Sequence, residues 1–215
     1  MDVLVDVPSL VEEFDAMRFC SDLTKREILR SKLVESCWYF DGKLMHWMDL
    51  VLQIPKPTPE TSGSAGPTSL SDQDHVTHIA QVHGMCFFWT TSLVLYTVMR
   101  MSCEPETLRH LPDRTDPLHH ARFLADALGI LLESRAGLYG QQSAALPLEI
   151  ALEYTGMAVN AGVSSNENGE GLLGIFRRLK EVLSEGFKAA IDNEGPGLYS
   201  CASPEGKRRV DKGKQ

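Results

Sequence analysis

Residues 116–154 read DPLHHARFLADALGILLESRAGLYGQQSAALPLEIALEY, and the fold class turns on this stretch. Asp116 followed by Pro117 is a helix start: the aspartate side chain can accept an orphan backbone N–H, and proline fits the first helical position. Ala121, Leu124, Ala125, Leu128, Leu131 and Leu132 then recur at helical spacing as one inward stripe. Gly137 ends or redirects the chain, and a second helix is expected from about Gln141 to Tyr154. Pro147 falls inside that second pattern and predicts a kink or a split. Thr155-Gly156 reads as its stop.

Moving outward, Glu104-Pro105 ends the preceding helix, and Leu111–Thr115 reads as a loop. From Asp72 to about Ser102 a long helix is expected, apolar nearly all round in its second half, as the central helix of a bundle must be. Ser9 with Glu12, and Thr24 with Glu27, have capping-box spacing and predict two N-terminal helices. Asp41-Gly42 predicts a break or bend in the second of these. Leu172, Ile175, Phe176, Leu179, Val182, Leu183 and Phe187 mark a last amphipathic helix, after a polar loop at 160–171. The expectation is therefore an all-α protein, an irregular bundle of about six to seven helices with a disordered loop and tail. Its divisions are an N-terminal helical segment at 1–54, a Pro-, Gly- and Ser-rich linker at 55–71, a helical core at 72–192 and a basic tail at 193–215.

Composition restricts function. The chain has 215 residues and a formal net charge of −8, so it repels phosphate backbones and is a poor general DNA binder. Five cysteines are present with no C-x2-C pair, which argues against a zinc finger and fits free thiols in a reducing compartment. The N-terminus lacks the basic and long apolar regions of a secretory signal. Met85–Met101 is apolar, but Thr90, Thr91 and Ser92 interrupt it, and a buried core helix is the expected reading over a membrane span.

No catalytic constellation stands out. His75 and His78 share a helix face and could ligate one metal, whereas His83 lies elsewhere around the axis. A helical enzyme with a metal-assisted site at His75 and His78 is the alternative reading. Ser143 lies in a helical pattern without a preceding strand, so it is not a nucleophile elbow. Trp38, Trp47, Phe87, Phe88, Trp89 and Tyr96 read as core aromatics. Lys207-Arg208-Arg209 is the one basic run, a candidate nuclear-import signal or a solvated tail. No catalytic, cofactor or metal residue is nominated.

One stretch resembles a known family. Phe88, Trp89, Leu93, Leu95 and Tyr96 form an F-W-x-x-x-L-x-L-Y pattern. Gly137, Leu138, Gly140, Gln142 and Ser143 form a Gly-Leu-x-Gly-x-Gln-Ser turn, and Pro147, Leu148, Ala151, Leu152 and Tyr154 follow as P-L-x-x-A-L-x-Y. In order and spacing this resembles the C-terminal regulatory region of fungal zinc-cluster transcription factors. The cysteine cluster that reads DNA in that family does not occur in this chain. The resemblance implies a truncated regulator: regulatory helices in pathway-specific gene control of the secondary-metabolism type, protein partners or a small effector, and no cofactor. It implies nuclear location, with the cytoplasm as the alternative.

Overall fold

The structure, a computed structural model, describes residues 3–52, 72–162 and 166–193. Seven α-helices run through them: α1 (Val3–Arg18), α2 (Leu23–Leu52), α3 (Asp72–Ser102), the single turn α4 (Pro105–Leu108), α5 (Pro117–Leu131), α6 (Gly137–Asn160) and α7 (Asn166–Asn193). Short 3-10 turns at Asp113–Thr115 and Ser134–Ala136 join α4 to α5 and α5 to α6. Among the described residues there is no strand, and the expected all-α bundle is the observed one.

The third helix organises the rest. Every residue from Thr90 to Met99 is buried, so no face of that segment is left for water. α5 and α6 cover it from one side, and α2 with α1 from the other; α7 closes over α6 and α5. One hydrophobic cluster spans them all, from Leu10 and Phe14 of α1 to Phe176 and Leu183 of α7. The N-terminal helices thus share a core with the remainder. Three hydroxyls along the helix are satisfied locally: Thr90 donates to the Cys86 carbonyl at 2.7 Å, Ser92 to Phe88 at 2.8 Å and Ser102 to Val98 at 2.7 Å, whereas Thr97 Oγ1 is buried with no partner among the described residues. By length and composition Thr77–Ser102 could cross a membrane; 67% of its most apolar window is buried by the other helices.

Local signals are partly obeyed. Asp116 caps α5 as expected, its Oδ1 accepting from the Leu118 N–H at 3.1 Å, with Pro117 next. Other boundaries differ. Ser9 lies inside α1, where its hydroxyl donates to the Asp6 carbonyl, so it caps nothing. Asp22, not Thr24, caps α2 by accepting from the Lys25 N–H at 3.1 Å. α2 runs unbroken through Asp41-Gly42, because Leu33, Cys37 and Leu44 around them pack into the core. Burying such residues outweighs the roughly 1 kcal/mol helix penalty of one glycine. Within the 111–115 segment, Asp113–Thr115 tightens into a 3-10 turn rather than staying a loop. α6 starts four residues before its expected start, continues through Pro147, and passes Thr155-Gly156 to end at Asn160, two residues before Gly162, whose φ is +64°. Asn166–Gly171, expected as loop, already belongs to α7. Trp38 is 37% exposed rather than core. The linker at 55–71 lies outside the described residues, as does the tail from 194.

Gly137 at the head of α6 has φ +58°, a left-handed conformation that a side chain would strain. Gly140 is buried for a different reason: a Cβ there would run into the Leu131 carbonyl and the Ala136 methyl. Gly140→Ala, which favours a helix elsewhere, is expected to destabilise this protein by about 1–3 kcal/mol in urea unfolding, through overpacking at the α5–α6 junction.

Candidate functional site

Polar groups converge at one place, where α2, α3, the 113–115 turn and α5 meet. Asp41 lies on the inward face of α2 and is 5% exposed. Its Oδ1 accepts from the Tyr96 hydroxyl at 2.7 Å and its Oδ2 from Arg114 Nη2 at 2.9 Å. The Tyr96 ring, fully buried on α3, stacks on the His120 imidazole of α5 at 4.8 Å between centroids. His120 Nε2 lies 2.6 Å from the Arg114 carbonyl. A carbonyl only accepts, so Nε2 carries the proton and Nδ1 is the bare nitrogen. Nδ1 is buried and meets no partner among the described residues. Beside this centre, Arg100 Nε donates to the Thr115 carbonyl at 2.8 Å, and the Thr115 hydroxyl donates to the Pro112 carbonyl at 2.7 Å.

The electrostatics follow from burial. Desolvation, reinforced by the Asp41 hydrogen bond, raises the Tyr96 pKa and keeps the phenol protonated. Desolvation first, then the neighbouring His119, pushes His120 down to about 4, against the weaker pull of the Arg114 carbonyl, Asp116 and Asp41. The imidazole is neutral at physiological pH. Arg114 is held charged by its bond to Asp41, and its side chain alone reaches outward, 48% exposed, with the guanidinium 6.0 Å from the Trp38 ring.

This arrangement positions helices; it does not expose a reactive atom. Both Asp41 oxygens are occupied, Tyr96 and His120 are covered, and among the described residues no hydroxyl or thiol nucleophile is bonded to the imidazole. Two thiols are equally inert: burial pushes Cys37 and Cys86 up to about 12. A surface groove of about 510 Å³ lies between α1 and α2, lined by Glu13, Leu29, Lys32, Glu35, Ser36 and Tyr39. That volume suits a small ligand, but three of the six lining residues, Glu13, Lys32 and Glu35, are charged, unlike the predominantly hydrophobic and aromatic walls of such sites.

The residues singled out by sequence fall into two groups. Phe88 is buried on α3 and stacks on Trp47 at 5.9 Å. Trp89 turns toward α5 and stacks on Phe123 at 4.9 Å. Gly140, Pro147 and Tyr154 are buried on α6, and burial with the nearby Glu153 and Asp15 pushes Tyr154 up to about 12. Leu138 and Gln142 are exposed and Ser143 is half-buried. His78 is exposed on α3, and the His75 side chain lies outside the described residues. No group of three or more His, Cys, Asp or Glu that could hold a metal occurs among the described residues.

Sequence reasoning missed Asp41, Arg114 and His120 as a unit. Two signals were present. Asp41 interrupts an apolar stripe of Leu33, Cys37 and Leu44 at helical spacing, and a tyrosine in the middle of an apolar helix needs a partner for its hydroxyl. No protein-family model, no curated protein and no solved structure matches this chain.

Two measurements test the cluster. Tyr96→Phe leaves Asp41 Oδ1 buried without its donor, and is expected to lower unfolding stability by about 1–3 kcal/mol. His120 binds a proton in the unfolded chain near pH 6.5 but in the folded chain only near 4. Its contribution is whole above about pH 6.5, is lost as pH falls toward 4, and levels off below; the full loss is about 3 kcal/mol. His120→Gln should flatten that part of the stability profile, as read by urea midpoints across the range.

Proposed function

We propose that this chain is a regulatory interaction domain, like the C-terminal region of fungal zinc-cluster transcription factors, acting in the nucleus through contacts with protein partners or an effector. One observation carries the reading. The strongest convergence of polar groups, Arg114 apart, is buried between helices, while the outer face of α6 presents apolar side chains to solvent. Leu138 is 45% exposed and Leu146 62%. With Gln142 between them they recur every fourth residue and share one face. Tyr139, 50% exposed, stands beside them, bonded to His83 at 2.6 Å. Two of these exposed residues, Leu138 and Gln142, are also residues of the family-like pattern, whereas Gly140, Pro147 and Tyr154 of the same pattern hold α6 in the bundle. The pattern thus combines a buried half that builds the scaffold with an exposed half available for recognition.

The reading supposes that DNA is reached through another protein, since the acidic chain has no cysteine cluster. Fused to an unrelated DNA-binding module in a fungal reporter strain, the chain is expected to raise or lower transcription. Leu138→Asp with Leu146→Asp should abolish the effect while leaving the thermal unfolding transition in place. A fusion that enters the nucleus and leaves the reporter unchanged would refute the proposal.

A further inference from the structure

A different surface carries an inference that does not rest on that reading. The outward face of α2, opposite the side that holds Leu33, Cys37, Asp41 and Leu44, bears a set of exposed residues with an internal symmetry. Lys32 and Glu35 precede the centre of the helix, and His46 and Asp49 follow it; all four are exposed. Among the described residues none of the four has an ion-pair partner within its own chain. Nearer the centre, Tyr39 is 61% exposed, and Gly42 is exposed with open space above its Cα. Toward the ends stand Ile28 at 54% and Leu50 at 51%. These positions fall within roughly 100° of the helix circumference, at 3.6 residues per turn.

We propose that this face pairs with the same face of a second copy, α2 against α2 and antiparallel. The two-fold axis crosses the helix level with the Phe40–Asp41 peptide, whose side chains belong to the opposite side. In a two-fold contact, if one residue meets a second, the second meets the first. That single axis sets Lys32 opposite Asp49 of the other copy and Glu35 opposite His46. It sets the Tyr39 ring over Gly42, where the missing side chain lets the helices approach. Ile28 comes beside Leu50, one turn out of level, at both ends. The Lys32–Asp49 pair forms twice per dimer, and the parallel arrangement loses it, because it sets Lys32 against Lys32 and Asp49 against Asp49. The groove lined by Leu29, Lys32, Glu35 and Tyr39 borders the same stripe, on the side from which the copy's Leu50 arrives. α2 is about 45 Å long at 1.5 Å per residue, so the paired stretch from Ile28 to Leu50 spans about 33 Å of it.

The symmetry yields a test that a nonspecific apolar contact fails. The full chain, examined by sedimentation equilibrium through the micromolar range, is expected to dimerise. Lys32→Glu alone, and Asp49→Lys alone, place like charges at two points and should each raise Kd by about tenfold or more. A mixture of the Lys32→Glu chain with the Asp49→Lys chain restores both pairs, so the heterodimer should return to within about threefold of the parent Kd. Circular dichroism melting of each variant, both changed at exposed sites, confirms that the fold is kept. A parent chain that stays monomeric throughout overturns the proposal. So does a dimer that either reversal leaves unchanged, or a mixture that associates no better than the single variants.

Discussion

A helix with no face for water constrains everything placed around it. From Thr90 to Met99 each side chain of α3 is buried, and at 3.6 residues per turn such a run covers the full circumference nearly three times. Solvent exposure of any side would lose about 25 cal/mol for each Å² of apolar surface returned to water. The neighbours α2, α5 and α6 are therefore required by α3, and α1 and α7 are required in turn to cover them. The hydroxyls of Thr90 and Ser92 do not weaken this arrangement, because each bonds a carbonyl one turn back and presents only its carbon atoms to the neighbours.

Apolar burial sets which elements meet but is indifferent to small slides and rotations. The Asp41 cluster supplies the missing directionality. A carboxylate in this position is costly unless both oxygens are paired, and the partners come from α3 through Tyr96 and from the 113–115 turn through Arg114. The carbonyl of that same Arg114 accepts a hydrogen bond from His120 Nε2, and the Thr115 carbonyl beside it accepts one from Arg100. Sliding α2 by one turn, or rotating it, would strand a buried charge. The cluster is thus best understood as fixing register, a role in which polar burial reduces the number of competing packings.

The helices themselves were legible because their signals are local. The long α3, the Asp116-Pro117 start of α5 and the amphipathic α7 follow from periodicity and capping within a few residues. Boundaries set by tertiary contact were not. Asp41-Gly42 looks like a break until the packing of Leu33 and Leu44 is known, and Thr155-Gly156 looks like a stop until Thr155 proves fully buried. Ser9 and Thr24 had the right spacing for caps, but the chain was already helical at Ser9, and Asp22 reached the free N–H groups first. The polar cluster was the least visible part. Asp41, Tyr96, Arg114 and His120 are spread over four elements, and a bond between residues 55 or 73 positions apart leaves no periodic trace.

The inner and outer faces of α2 are consequences of one rotation. With Asp41 pinned inward by Tyr96 and Arg114, the helix cannot turn about its axis, so Lys32, Glu35, Tyr39 and Asp49 must point away from the bundle. Exposed aromatic and aliphatic side chains on a rigid, correctly rotated helix lose less freedom on association than the same residues on a loop. The buried network fixes the orientation of that surface by holding α2 against rotation, which gives a costly ionic cluster a structural role where well-packed apolar side chains would otherwise serve.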